Sequence, residues 1–241
     1  MNSFRVLFVL TPPFDPNSGG VQMSTFKLGS HFETLGHEVG VFSFAQDGHA
    51  VCEFGQLWHG TEPGSTSNLG NLDKLENVLC DFKPDVVINQ MPYEHEIGGV
   101  LLRDKDYLLL GCLRNTLFSV KGDLDSYLKK AVPSALHRFL NNSVGKSLLL
   151  RFHRRKHQAD LQRILDTYDL FIMFGPPNIE ELKYFVPDFD KTKIRLIPNS
   201  IPHVTESVPT KGKRLLWLGR VARAQKRAEL IPKVWQRVSH H

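Results

Sequence analysis

Short, continuous apolar runs alternate with helical segments along most of this chain. Most of the runs at 5–10, 38–44, 85–89, 107–113, 169–174, 194–197 and 214–218 are apolar on consecutive residues rather than on every second one. A strand with one face in water alternates; a strand covered on both faces does not. Between the first two runs, Val21, Thr25, Leu28, Phe32 and Leu35 step by 4, 3, 4 and 3 residues, which places them on one helical face, and Gly36 then closes the helix. Segments 71–82 and 178–185 repeat this pattern, with Asn178 as a candidate N-cap. The alternation predicts an α/β fold: a Rossmann-like, doubly wound, mostly parallel sheet.

Three stretches depart from the rhythm. Segment 48–70 is rich in Gly, Ser and Thr and reads mostly as loop. Segment 123–165 reads as one long helical region, interrupted near 141–145. Segment 202–212, with Pro202, Pro209, Lys211 and Gly212, reads as a linker. A further strand begins at 214 and a helix at 228, and one such unit buries no core of its own. The 241 residues fall between one large domain and two small ones, at about 150 residues per domain. The expected organisation is a first domain over 1–200, a linker over 201–213, and the first strand and helix of an incomplete second domain over 214–241.

Composition removes other classes. At 41 % hydrophobic and 23 % charged residues, the chain is neither collagen-like nor wholly disordered. No apolar run approaches the roughly 20 residues of a membrane span. Cys52, Cys80 and Cys112 are scattered and form no framework, which favours a reducing, cytoplasmic compartment. The net charge of +5 suits an anionic small molecule, a lipid headgroup surface or nucleic acid, and selects none of them.

Several segments carry candidate chemistry. The first strand runs through Thr11-Pro12-Pro13-Phe14 into Gly19-Gly20 and a helix. Ligands of open parallel sheets sit at the carboxyl ends of strands, and a glycine pair at a helix start exposes N–H groups to an anion. The same pair also serves a tight turn. Gly145-Lys146-Ser147 resembles the end of a phosphate-binding loop, but Leu140 stands where the first glycine belongs, which excludes that motif. Arg220, Arg223, Lys226 and Arg227 follow the strand at 214–218; they suit a diphosphate or form a solvated basic turn. Residues 137–163 hold seven Lys/Arg and one acid, Asp160, interleaved with Leu148, Leu149, Leu150 and Phe152. This region suits an anionic membrane surface, nucleic-acid phosphates, or an ordinary solvated helix beside core leucines. His153 and His157 have metal-ligand spacing, but the flanking cations repel a metal. The acidic pairs Asp104/Asp106, Asp123/Asp125 and Asp188/Asp190 do not clearly end buried strands, and no metal site is expected.

Four segments together resemble family 4 glycosyltransferases of the two-Rossmann (GT-B) architecture. "RVLFVLTPPFDPNSGGVQMSTFKLGSHFETLGHEVGVFSF" is similar to that family's first strand, glycine loop, first helix and second strand. "FKPDVVINQ" resembles its fourth strand, "KIRLIPNSI" the strand before the interdomain crossover, and "RLLWLGRVARAQKRAEL" the start of the nucleotide-binding domain. The resemblance implies transfer of a hexosyl unit from a nucleotide-diphosphate sugar, with retention and without metal or other cofactor. It implies that Gly19 and Gly20 approach the donor phosphates and that Arg220 and Lys226 neutralise the leaving diphosphate. The family's histidine after the fifth strand is replaced by Arg114-Asn115, so Arg114 and the nearby His95 are the candidate catalytic residues, with Tyr93, Glu94 and Asn115 on the acceptor side. Ser200 stands where the family has glycine, and the acidic E-x7-E motif of the donor domain has no counterpart. The expected partners are a nucleotide-sugar donor and a glycan or lipid-linked acceptor in polysaccharide biosynthesis, with an anionic membrane surface engaged through 137–163 and no nucleic acid. The corresponding location is cytoplasmic and peripheral, at the inner face of the membrane, and the chain alone is expected to be weakly active or inactive. The competing expectation is a non-catalytic Rossmann-type binding module or partner subunit.

Overall fold

A computed structural model describes residues 3–45, 55–61, 65–113, 116–117, 140, 142–199 and 230–238. The chain divides into two compact units, 1–116 with 154–200, and 117–153 with 201–241.

The first unit is built on a seven-stranded sheet. Its strands are β1 (Arg5–Leu10), β2 (Glu38–Ser43), β3 (Gln56–His59), β4 (Val86–Asn89), β5 (Leu108–Cys112), β6 (Leu170–Met173) and β7 (Ile194–Leu196). The order is β3-β2-β1-β4-β5-β6-β7, and every neighbouring pair is parallel. Helices α1 (Gly20–Thr34), α2 (Leu69–Phe82), α3 (His95–Leu102) and α5 (Pro176–Phe185) connect the strands. Helix α4 (Ser143–Thr167) is continuous from the second unit into the first, and α6 (Ile231–Val238) belongs to the second.

The expected doubly wound sheet is therefore present, and the consecutive apolar runs have their cause. In the central strands β1, β2 and β4, alternate residues are buried on opposite faces. Val6, Phe8, Leu10, Val39, Val41 and Ile88 meet Phe26, Leu28 and Phe32 of α1. On the other face, the ring of Tyr168 lies against Gly111 of β5, where an added Cβ would stand 3.0 Å from it. Each such apolar side chain contributes about 1.5–3 kcal/mol on burial. Right-handed crossovers put α1 alone on one face among the described helices of this unit. Beyond α1, the β4–β7 half of that face forms an apolar groove of about 440 Å³ lined by residues including Leu28, Leu110, Ile172 and Ile197.

The boundaries refine the sequence reading. Helix α1 ends at Leu35, and Gly36 takes the left-handed conformation at φ 85° that lets the chain turn into β2. Helix α5 starts at Pro176, not at 178; Gly175 holds the cap position and the two prolines fill the first turn, so Asn178 lies inside the helix. Segment 48–70 is not all loop, since β3 lies within it and α2 begins at Leu69 behind the Asn68 cap. Helix α3 has no counterpart in the expected elements. The expected strand at 214–218, the linker at 201–213 and the 123–139 part of the long helix lie outside the described residues.

Candidate functional site

The strand order reverses between β1 and β4. From β1 the chain crosses to β2 on one side; from β4 it crosses to β5 on the other. The loops after β1 and β4 therefore separate at the carboxyl edge and leave a crevice between them, the place where open α/β sheets hold ligands. Gly19 and Gly20 lie on the β1 side of this crevice, and Tyr93, Glu94 and His95 lie on the β4 side. Two groups of sequence-predicted residues are thus brought to adjacent strand ends.

The β1 side is firmly held. Phe14 is buried and anchors the loop. Ser43 Oγ at the end of β2 donates to the Pro12 carbonyl at 2.9 Å and also approaches the Ala45 carbonyl at 2.6 Å. Gly19 is the N-cap of α1 with extended backbone, and no side chain caps the helix. The glycine pair therefore does not serve a left-handed turn, because Gly19 is extended and Gly20 is helical. What the pair provides is room. A Cβ on Gly20 would meet nothing within 4 Å, and one on Gly19 would meet only the end of the Gln22 side chain. The first N–H groups of α1, lacking intrahelical partners and aligned with the helix dipole, face this opening as an anion-binding end.

The β4 side has different chemistry. Gln90, the first residue after β4, donates from Nε2 to Thr25 Oγ1 of α1 at 3.3 Å, and both side chains are buried. This bond ties the two sides together beneath the crevice. Glu94 accepts from Thr66 Oγ1 at 3.1 Å. His95 begins α3 and places Nε2 3.3 Å from Asp160 Oδ1 of α4. The ring of Tyr93 stands edge-on to His157 at 6.1 Å. Burial, reinforced by the charges of Asp160 and Glu181, raises the Tyr93 phenol above its ordinary range and keeps it a neutral hydroxyl. Burial likewise lowers His157, against the opposing pull of Asp160. Glu181 of α5 accepts from Thr116 Oγ1 at 2.6 Å and from Asn178 Nδ2 at 3.4 Å. Hydroxyl, carboxylate, imidazole and amide groups thus gather along the ends of β4 to β6, a set suited to polyhydroxylated ligands through paired donors and acceptors.

Glu181 and Gln90 carry no role in the sequence reading, although Gln90 had a signal in its position directly after a strand. His157 and Asp160 were noted there only as part of the basic segment 137–163 and not as neighbours of Tyr93 and His95. Arg114, Asn115, Arg220 and Lys226 lie outside the described residues. Asp190 has a local structural role, its carboxylate accepting from the N–H and hydroxyl of Thr192. No described helix is long and apolar enough to cross a membrane.

No protein-family model and no curated protein sequence matches the chain. Solved structures do. Sucrose-phosphate synthase from Thermosynechococcus elongatus is similar with a TM-score of 0.53 at 14 % identity, over 80 % of this chain and 48 % of that one. A glycosyltransferase from Rickettsia africae aligns at a TM-score of 0.49 and 15 % identity, over 82 % of this chain and 43 % of its own. Anabaena HepE in complex with UDP and glucose aligns at 0.47 and 11 % identity, over 82 % and 45 %. The chain spans about half the length of the structures it matches, and its sheet has the Rossmann-like, doubly wound fold found in GT-B glycosyltransferases.

Proposed function

We propose that this chain is the acceptor-side part of a nucleotide-sugar glycosyltransferase. In this reading 1–200 is the acceptor domain, 201–213 the crossover linker, and 214–241 the first strand and helix of the donor domain. The whole enzyme transfers a hexosyl unit from a nucleotide-diphosphate sugar to a glycan or lipid-linked acceptor in polysaccharide or glycoconjugate synthesis. The transfer retains anomeric configuration and uses no metal, as the resemblance to family 4 implies. One observation carries the reading: the crevice between β1 and β4 has an uncapped helix start with open glycines on one side and the His95–Asp160 pair on the other.

The roles follow from the resemblance and from charge. The α1 N–H groups and the pair Arg220 and Lys226 stabilise the negative charge that develops on the diphosphate as the sugar leaves. Tyr93, Glu94 and Asn115 bind acceptor hydroxyls. Arg114 and His95 face the reacting centre, Arg114 as a fixed cation and His95 as a hydrogen-bonding group beside Asp160.

The test is calorimetric titration of the 241-residue protein with nucleoside diphosphates. Gly20→Leu is the informative variant, because its Cβ has open space and the fold tolerates it while the side chain fills the crevice. We expect wild-type binding that weakens at least about tenfold in Gly20→Leu and in Arg220→Gln/Lys226→Gln. Equal binding by Gly20→Leu, with its melting temperature retained, would remove the crevice from the donor site.

A further inference from the structure

Helix α4 turns an apolar edge outward. Val144, Leu148 and Phe152 are 68 %, 58 % and 65 % exposed, although large apolar side chains at this spacing on a helix ordinarily face a core. Arg151 and Arg155, also exposed, lie on the same edge, all five residues falling within about 100° of arc at 100° per residue. On the opposite side of the helix His153 is buried. From Ser143 to residue 159 the helix holds five Lys/Arg and no Asp or Glu. Leu148 and Phe152 are therefore not core residues of an ordinary solvated helix.

We infer that this edge of α4 docks on an anionic lipid bilayer. The three apolar side chains enter the headgroup–acyl boundary, and Arg151, Arg155 and the adjacent Lys156 remain at the level of the lipid phosphates. An apolar row bordered by cations is the pattern of a helix lying in the plane of a membrane interface. The absence of any carboxylate over this stretch fits an anionic surface. The second compact unit carries another helix of the same chemistry: α6 exposes Val234 and Trp235, holds Lys233 and Arg237, and has no acidic residue. Tryptophan favours the headgroup level, where its ring is half in water. The inference is independent of sugar transfer, since it needs only the exposed helix edge.

Flotation of the 241-residue protein tests it, using phosphatidylcholine vesicles with and without phosphatidylglycerol. We expect binding to the anionic vesicles, weakened by salt. Arg151→Gln/Arg155→Gln should lower it by about 30-fold, at roughly 1 kcal/mol per cation. Leu148→Ser/Phe152→Ser should also lower it, while the charge-matched control Lys74→Gln/Lys191→Gln should not. Circular dichroism establishes that each variant folds. As a second reading, Phe152→Trp should show more quenching by brominated lipid than wild type does. Equal binding to neutral vesicles, indifference to the Leu148/Phe152 pair, unchanged quenching, or a preference for duplex DNA over anionic vesicles would each overturn the inference.

Discussion

At the scale of single residues, much of the first unit depends on side chains that hold backbone ends. Asp169 precedes β6; its Oδ2 accepts from the Leu109 N–H of β5 at 2.7 Å and pairs with Lys105 Nζ at 2.6 Å. Partial burial opposes the charge, but the Lys105 and Leu109 contacts outweigh it and hold the carboxyl below its ordinary range. A carboxyl lowered on folding stabilises the protein above its unfolded pKa, near 4, and this contribution disappears as pH falls through the folded value. Asp169→Asn should therefore cost about 1 kcal/mol at neutral pH, a figure reduced for the partial exposure of the pair. The difference should vanish once the pH lies below the folded value. Urea denaturation of both proteins across this range checks it; a cost independent of pH would assign the loss to the amide contact rather than to charge.

At the scale of elements, the legible parts were those whose signal is local. Six strands were readable because most are continuous apolar runs, and α1 because its apolar spacing and Gly36 agree. Strand β3 was not, since Gln56–His59 is only four residues of mixed character. What holds it is distant: Trp58 packs beneath Gly40 of β2, where a Cβ would stand 2.6 Å from its ring, and against Phe82 of α2. Helix α3 was hidden by Gly98 and Gly99, which weaken any helical pattern. The site divided in the same way. Gly19, Gly20 and Tyr93 to His95 lie between a strand and the first residue of the next helix and were readable as candidates; Asp160, His157 and Glu181 arrive on later helices through crossovers that no local pattern encodes. Helix α2 offers a test at this scale. Its C-cap, Lys83, sits at φ 47° in the left-handed region, donating its N–H to the Leu79 carbonyl. Glycine takes that conformation without the steric cost of a Cβ, although it also loses more freedom on folding. Lys83→Gly should thus stabilise the protein by about 0.5 kcal/mol, seen as a higher melting temperature. A lower one would mean that the Lys83 side chain contributes more than its backbone strain costs.

At the scale of the whole molecule, the architecture bears on activity. Under the proposed function the β1–β4 crevice is one wall of the ligand site, with the uncapped start of α1 on one side and the His95–Asp160 pair on the other. Stabilising a leaving diphosphate requires fixed charges on several sides, held in place before the reaction. The chain spans 48 % of the sucrose-phosphate synthase structure. Under the proposed function, residues 214–241 contribute Arg220 and Lys226 to the donor wall. Under the proposed function the 241-residue protein should accordingly separate binding from turnover. It should bind a nucleoside diphosphate through the α1 end, yet transfer sugar slowly or not at all, because two cations on a single strand–helix unit support ground-state contact more than transition-state stabilisation. Product detection by mass spectrometry, across a panel of sugar nucleotides with an oligosaccharide or lipid-linked acceptor, reads turnover; calorimetry on the same preparation reads binding. Rapid transfer by this chain alone would show that one wall and a single strand–helix unit suffice for catalysis. Failure of both binding and transfer would instead point to the non-catalytic module, in which the crevice is a feature of the sheet and not of a reaction.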